Sequence, residues 1–597
     1  MVERILAFAA LLSFAALAAA QTPAWVERSN KIAEEVLRDR GQFYPEAPSS
    51  SGQEEFDTAV ADFGPNYFER SLALTEKRLA ALRALRKAET DPKVRQDLDI
   101  LIASREQRIE TARLERRYLI NYVAATGVVN FGLSSLLDPR NGPERQARAL
   151  VRLKRYAGLA PGTTPLATRA RERTEEELAR PGLIGPYVEE LKQQLNKTEF
   201  FLKGIAGLFE KAKLQGWQSD FAVLSKQLLE YDDWARKTVL PRARAEIRLP
   251  PALYSNRLKQ VGVAITPEEL IERAGADFQE VRDQMRVLAK QIAAARKLPS
   301  ADYRDVIREL KKRQVEPEAM LAMYRGVLKD IEAIIRREKL ISLPERDAVI
   351  RFASESEAAR TPAPQMRIPR LIGNQGEYGE FLIPLANPHA KTSEKMDDFS
   401  YQAVAWTLTA HEARPGHELQ FASMVERGVS LPRAIFAFNS ANVEGWALYS
   451  EALMMPYLPP EAQLVSLQWR LLRMARAFLD PMVNLARIAP AEAKRILMEE
   501  VVISEPFSQQ EVDRYAFESP GQATAYYYGY LQLRSLRTRA EVALGRRFDL
   551  MAFNDFIVAQ GLLPPRVLEQ AVMEEFVRER SVGKTATPWG AKRRAGT

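Results

Sequence analysis

The sequence contains no cysteine, and only three of its 597 residues are histidine. The missing cysteine excludes disulfide scaffolds and any zinc site built on thiolates. Glycine is also scarce, at 29 residues, which disfavours folds rich in tight turns. The 86 lysines and arginines exceed the 78 aspartates and glutamates by 8, which is a small surplus for this length. The sequence also shows no nucleic-acid recognition motif, so the positive charge does not predict nucleic-acid binding. A hydrophobic share of 46% predicts a large folded core.

The first twenty residues have the pattern of a secretory signal peptide. A short region ending at Arg4 precedes a mostly apolar run over residues 5–17, and Ala18 to Ala20 offer a cleavage site before Gln21. The run is shorter than the ~20 residues of a membrane span, and a lipoprotein would need a cysteine at the cleavage point. We therefore expect residues 1–20 to be removed and the mature chain to be secreted into a bacterial periplasm, with no membrane span.

Apolar residues recur every three or four positions through long segments rich in Ala, Leu, Glu, Arg and Lys. This periodicity predicts a mainly α-helical, all-α fold. Residues 71–88 and 93–122 form a predicted helical hairpin broken at Pro92, and Thr266 caps a predicted helix that ends near Arg296. The exception is a predicted small β-hairpin or edge strand near 370–386, where glycines interrupt short apolar pieces. Residues 581–597 read as a flexible basic tail.

Two of the three histidines, His411 and His417, lie in one short segment, and the third is His389. Glu412 follows His411 directly. Two imidazoles and a carboxylate are common zinc ligands, and a glutamate beside the first histidine can serve as general base. Because a spacing of six residues separates the rings by roughly 120° on a regular helix, we expect Pro415 and Gly416 to interrupt the helix and bring His417 back. From the spacing alone, two polar residues beside a loop fit equally well.

The third ligand is expected on a helix that begins near residue 441. Glu444 and Glu451 lie seven residues apart and therefore share a helix face. Carboxylates are rare on an otherwise apolar helix unless they are paired, which makes Glu444 a candidate metal ligand and Glu451 a candidate partner of a ligand. The alternative is that both belong to a solvated stripe.

A tyrosine-rich segment follows residues 519–522. Ser519 and Pro520 predict a helix start, so that Tyr526 and Tyr530 share a face. A tyrosine hydroxyl can donate to the oxyanion formed when water attacks a carbonyl, and Tyr526 is the candidate. Packing in the core is the competing role.

Together these segments resemble the bacterial family designated domain of unknown function 885. The resemblance is carried by the motifs HEARPGHELQ (411–420), EGWALY (444–449), EVDRY (511–515), PGQATAY (520–526) and FNDFIVAQGLLPPRVLE (553–569). It is specific from about residue 370 onward. Two positions depart from the family pattern: Glu418 and Asn554 stand where the family often has histidine.

The resemblance implies a zinc-metallopeptidase-like protein with an oligopeptidase-like helical body and a deep channel. It implies Zn²⁺ held by His411, His417 and Glu444. It also implies that Glu412 acts as the general base, that Tyr526 donates a hydrogen bond to the oxyanion, and that Glu451 is the hydrogen-bond partner of a metal ligand. The substrates expected are short or unfolded peptides, and Arg514 is a candidate for binding a substrate carboxylate, with a structural salt bridge as its alternative. The predicted divisions are 1–20, an N-terminal helical region 21–370, a catalytic region 371–580 and the tail. A scaffold that has lost turnover is the rival interpretation.

Overall fold

The computed structural model describes residues 23–354, 357–358, 363–372, 374, 376–384 and 396–582. It is 71% helical, which confirms the mainly α-helical class. The predicted signal peptide, His389 and most of the predicted basic tail lie outside the described residues. Within the described residues, no helix combines the length and apolar character needed to cross a bilayer.

Fourteen of the described α-helices precede the small sheet. They are α1 (Ala24–Gly41), α2 (Glu46–Ser50), α3 (Tyr67–Ala88), α4 (Pro92–Tyr118), α5 (Ala125–Leu136), α6 (Pro143–Tyr156), α7 (Leu166–Leu178), α8 (Val188–Asn196), α9 (Thr198–Lys211), α10 (Gln218–Thr238), α11 (Pro251–Gln260), α12 (Pro267–Arg296), α13 (Tyr303–Lys311) and α14 (Pro317–Glu338).

Ten further described α-helices follow the sheet. They are α15 (Gln402–Leu408), α16 (His417–Arg427), α17 (Ser440–Met454), α18 (Pro460–Asn484), α19 (Pro490–Ile496), α20 (Glu505–Asp513), α21 (Ala525–Leu544), α22 (Leu550–Ala559), α23 (Pro565–Ala571) and α24 (Arg578–Ser581). Several of them run into short π-helical turns, at Thr409–Ala413, Pro432–Phe436, Leu497–Val501, Arg514–Glu518 and Val572–Val577.

The predicted helical hairpin and the capped helix are confirmed. The hairpin consists of α3 and α4, joined at Asp91, whose side chain accepts hydrogen bonds from the main-chain N–H groups of Lys93 and Val94. Thr266 caps α12 by accepting from the N–H of Glu269, and the helix ends at Arg296. These three helices formed as expected because their caps and proline positions agree with their apolar periodicity.

The described strands form one three-stranded sheet with the order β1-β3-β2. β1 (Val349–Phe352) pairs parallel with β3 (Glu380–Ile383), and β2 (Gln365–Arg367) pairs antiparallel with β3. β3 lies inside the segment predicted to hold a hairpin or edge strand, but it is the central strand. β1 and β2 were not predicted, because strands of four and three residues are too short to show alternation.

Two large hydrophobic clusters organise the chain. One contains residues from Ala61 to Tyr231 and belongs to the N-terminal helices. The other joins α11 to α14, the sheet and nearly all of the C-terminal helices, from Ile100 to Val577. The second cluster therefore contains residues on both sides of the predicted boundary near 370, and the four-part division of the chain stays a prediction.

Candidate metal centre

The segment that carries both histidines is not a regular helix. α15 widens into the π-helical turn Thr409–Ala413, a turn follows through residues 414–416, and α16 begins at His417. The expectation that residues 413–417 interrupt the helix is therefore confirmed. The two imidazole rings lie 4.8 Å apart, centre to centre, and nearly perpendicular to each other.

Gly416 makes this return of the chain possible. A Cβ at Gly416 would lie 1.9 Å from the carbonyl oxygen of His411, so a larger residue would collide with the main chain. Trp446 on α17 fixes the same turn, since its indole N–H donates to the carbonyl oxygen of Pro415 at 3.0 Å. The close packing of this turn is what brings the two histidines to one point.

α17 presents Glu444 to both imidazoles. Glu444 Oε2 lies 3.3 Å from His417 Nε2 and 3.6 Å from His411 Nε2. One possible ligand atom from each of these three residues lies within 4.8 Å of the other two. Glu412 is adjacent, with its Oε1 3.9 Å from His411 Nε2. The structure therefore brings together the three residues predicted as ligands and the residue predicted as base.

A pair of glycines sets the position of α17 against α21. A Cβ at Gly445 would lie 2.5 Å from the main chain of Gly529, and one at Gly529 would lie 1.8 Å from the carbonyl oxygen of Ala441. The two helices can pack this closely only because both residues lack a side chain. Glu444 precedes the first of these glycines and Tyr526 lies one turn before the second, so the contact holds both near the histidines.

Glu451 lies directly behind His411. Its Oε1 is 2.7 Å from His411 Nδ1, and the same oxygen accepts a hydrogen bond from Arg473 at 3.0 Å. The other oxygen accepts from the Thr407 hydroxyl at 3.1 Å. Whenever the ring is neutral, a carboxylate in this position keeps the remaining proton on Nδ1 and leaves the lone pair on Nε2, the nitrogen that faces Glu444.

The residues present fit a divalent cation. Glu444 Oε2 is buried and forms no hydrogen bond within the described part of the protein. In a tetrahedral zinc site with bonds of about 2.0–2.1 Å, neighbouring ligand atoms are about 3.3–3.4 Å apart. The measured separations of 3.3 and 3.6 Å between Glu444 and the imidazoles are close to this value. The donor set of two imidazoles and one carboxylate is also typical of catalytic zinc.

Electrostatics around these residues favour a positive charge. Burial by itself lowers the pKa of His411, but the nearby carboxylates of Glu444 and Glu451 outweigh it and raise that pKa to about 9. Burial opposes ionisation of Glu444 as well, yet the two histidines hold its pKa well below the usual range. Burial raises the pKa of Glu412, so that its carboxylate holds a proton more strongly than a solvated glutamate does.

Tyr526 stacks on His411, with ring centres 6.2 Å apart and an angle of 15° between the planes. Arg514 donates a hydrogen bond to the Tyr526 hydroxyl at 3.2 Å and also bonds to Gln522. The predicted helix start at Ser519 is wrong: the α-helix begins at Ala525, after a short 3₁₀ turn over Gln522–Thr524. Asp480 accepts from the main-chain N–H of Gly521 and so holds this irregular start.

Glu418 and Asn554, where the resemblance led us to expect histidine, lie outside the three predicted ligands. Glu418 is fully buried and forms ion pairs with Arg414 at 2.9 Å and Arg346 at 2.6 Å. Asn554 accepts from the Tyr449 hydroxyl at 3.0 Å and donates to the carbonyl oxygen of Leu340 at 2.8 Å. Both side chains therefore have structural partners here.

Sequence reasoning missed a buried row of arginines beside the site. Arg473 and Arg476 on α18 pair with Glu451 at 3.0 Å and Glu511 at 2.6 Å, and the Arg476 guanidinium lies 4.6 Å from the centre of the Tyr526 ring. The sequence did contain a signal for these buried pairs: arginine recurs at every third position, at 470, 473 and 476, in the otherwise apolar helix α18. Charged residues in such a helix are usually paired with an opposite charge.

The chain belongs to the family of bacterial proteins of unknown function DUF885, whose model matches residues 45–572. Among solved structures, it is similar to a candidate lipoprotein of unknown function from Shewanella oneidensis, with 18% identity and a TM-score of 0.72 over 92% of this chain and 100% of that chain. It is also similar to a candidate lipoprotein from Colwellia psychrerythraea, with 19% identity and a TM-score of 0.75 over 94% of this chain and 100% of that chain. At these identities the likeness shows the fold alone. No curated protein matches the chain.

Proposed function

We propose that this protein is a zinc-dependent hydrolase that cleaves peptide bonds in short or unfolded peptides. The observation that supports this most is the geometry of Glu444, whose Oε2 lies 3.3 and 3.6 Å from two imidazole nitrogens and makes no hydrogen bond. His411, His417 and Glu444 would hold the ion. When bound, zinc supplies Lewis acidity to the substrate carbonyl and lowers the pKa of water.

The neighbouring side chains supply the remaining chemistry. Glu412 accepts a proton from the attacking water and passes it to the leaving amine, which its burial and its position beside His411 support. Tyr526 donates a hydrogen bond to the carbonyl oxygen as that oxygen becomes negative. Arg514 holds the Tyr526 hydroxyl at 3.2 Å and also remains the candidate for a substrate carboxylate.

The same proposal includes export from the cytoplasm. The two similar structures are described as candidate lipoproteins, and residues 1–20 of this chain have the pattern of a cleavable signal peptide. This sequence has no cysteine that could carry a lipid. We propose that the mature protein acts in the periplasm, and mass spectrometry of the exported protein should give Gln21 as its first residue.

Paired variants test the catalytic proposal. We expect about one zinc per chain by elemental analysis and loss of that zinc in Glu444→Gln, because a ligand has been removed. Glu412→Gln should keep the metal and lose about 10²–10⁴-fold in peptide hydrolysis, because a general base has been removed. Glu574→Gln, an exposed position on another helical segment, is the matched control. A fully active Glu412→Gln protein would contradict the mechanism, and a wild-type protein without zinc or turnover would favour the scaffold.

A further inference from the structure

A second cluster of charged side chains lies among the N-terminal helices, in elements that do not contribute to the metal centre. A cavity of 220 Å³ opens between α1, α3 and α4. Its charged lining consists of one aspartate and four arginines: Asp39, Arg40, Arg78, Arg105 and Arg108. The charged side chains that line the cavity are therefore mostly positive.

The aspartate does not balance the excess of arginines. Arg78 donates to both oxygens of Asp39, at 2.6 and 3.2 Å, and it also pairs with Glu35, which lies outside the cavity lining. Arg40, Arg105 and Arg108 form no ion pair with any carboxylate in the described residues. Both carboxylates are therefore already paired with Arg78, whereas three arginines around the cavity have no ion-pair partner in the described residues.

Arg105 is the most informative of the three. It is only 8% exposed, and its Nε is buried without a hydrogen-bond partner. Its single hydrogen bond is from Nη2 to the Ser104 hydroxyl at 3.1 Å, and its guanidinium lies 5.5 Å from the centre of the Phe436 ring. Burial and the neighbouring Arg108 and Arg40 lower the pKa of Arg105 to about 10, so it remains a cation at neutral pH. A buried cation without a counter-charge is costly unless a ligand supplies one.

Aromatic and hydroxyl groups complete the lining. Phe43, Tyr44 and Tyr67 form apolar walls, and burial raises the pKa of both tyrosines, so their hydroxyls stay protonated and able to donate. About 10–15 Å³ of such space holds one water molecule, so a cavity of 220 Å³ has room for several waters or for one small polyvalent anion.

We propose that this cavity is a binding site for a small anion with at least two negative charges, carried by phosphate or carboxylate groups. Arg40, Arg105 and Arg108 supply the charge, and Arg105 is the buried one of the three. Arginine suits this role because its planar fork of donors matches both phosphate and carboxylate oxygens. The site is independent of the metal centre and does not rest on the proposed hydrolysis.

Calorimetric titration of the purified full chain tests the site, with pyrophosphate and citrate as probes at constant ionic strength. We expect saturable binding of one molecule per chain. Binding of pyrophosphate alone assigns phosphate chemistry, binding of citrate alone assigns carboxylate chemistry, and binding of both shows that charge is recognised. If neither binds, the proposal is wrong. Binding should persist after treatment with EDTA, and binding lost on chelation would assign it to the metal centre instead.

Variants locate the binding in the cavity. Arg108→Gln and Arg40→Gln change exposed side chains and should each weaken binding about tenfold or more, because each removes a charge-assisted hydrogen bond. Arg95→Gln makes the same change at an exposed position of α4 that does not line the cavity, and it should leave the affinity unchanged. Equal affinities of Arg108→Gln and wild type, or equal losses in Arg95→Gln and Arg108→Gln, would overturn the proposal. Arg105→Gln should abolish binding if its thermal melting curve shows that it folds.

Discussion

The helical hairpin of α3 and α4 and the surroundings of the candidate metal centre use the same residue types in opposite ways. In the hairpin, Arg83 and Glu106 form an ion pair whose side chains are 60% and 48% exposed. Beside the candidate metal centre, Arg473 and Glu451 form an ion pair whose side chains are 3% and 1% exposed. The first pair is solvated whether or not it forms, whereas the second exists only because each charge compensates the other.

This contrast shows which charges the fold depends on. Exposed pairs contribute about 0–1 kcal/mol, because water solvates both partners when they separate. Removing one partner of a buried pair leaves an uncompensated charge and costs about 3–5 kcal/mol. The buried arginines of α18 should therefore be required for the geometry of the site, while the surface arginines of the hairpin should be replaceable. Four substitutions test this, in order of decreasing expected effect.

Glu511→Gln should have the largest effect on stability. Glu511 receives two hydrogen bonds from Arg476, at 2.7 and 2.6 Å, and another from the Tyr515 hydroxyl at 2.9 Å. Burial opposes its ionisation, but the arginines lower its pKa to about 2, so it is charged at neutral pH. We expect the free energy of unfolding in urea to fall by about 3–5 kcal/mol, since buried arginine would lose its counter-charge. A loss below about 1 kcal/mol, the range of exposed pairs, would erase the distinction between the two regions.

Glu451→Gln should weaken zinc binding about 10–100-fold, which is the usual effect of removing the carboxylate behind a histidine ligand. The 2.7 Å contact between Glu451 Oε1 and His411 Nδ1 motivates this expectation. Competition with a chromogenic chelator measures the affinity, and turnover at saturating zinc should recover much of the wild-type rate. Unchanged zinc affinity would mean that Glu451 serves only to neutralise Arg473.

Asp480 is intermediate between the buried pairs and the exposed pairs. It is buried on α18, the helix that carries Arg473 and Arg476, but it has no ion pair in the described residues. Burial raises the pKa of Asp480 to about 7, although Gly521 and Tyr254 donate hydrogen bonds to it. Its folded pKa is above the unfolded value of about 3.9, so its favourable contribution is complete below about pH 4 and is lost as the pH rises through 7.

The measurement is the pH dependence of unfolding for the wild type and Asp480→Asn. The stability of the wild type relative to the variant should decrease between pH 5 and pH 8, because only the wild type must ionise a buried group. A constant difference across this range would show that Asp480 titrates at its ordinary pKa.

The sequence was sufficient for the long helices and for the centre of the site. α3, α4 and α12 follow from apolar periodicity with proline and capping residues, and Glu444 and Glu451 share a face because their helix is regular. The sequence was insufficient where tertiary contacts decide the structure. β1 and β2 form through pairing with β3, the helix start after Ser519 depends on Asp480, and the partners of Arg473 and Arg476 come from other helices.

Glu106→Gln should have the smallest effect and completes the comparison with Glu511→Gln, since both remove a carboxylate that pairs with arginine. Arg83 and Glu106 lie 2.7 Å apart across the hairpin, but both are exposed, and water replaces the lost contact. We expect a loss of less than about 1 kcal/mol in urea unfolding at low salt and a smaller loss at about 1 M salt, where the Debye length is about 3 Å. The loss in Glu511→Gln should persist at high salt because that pair is shielded from ions. A loss in Glu106→Gln as large and as insensitive to salt as in Glu511→Gln would mean that exposure does not determine which charges stabilise this fold.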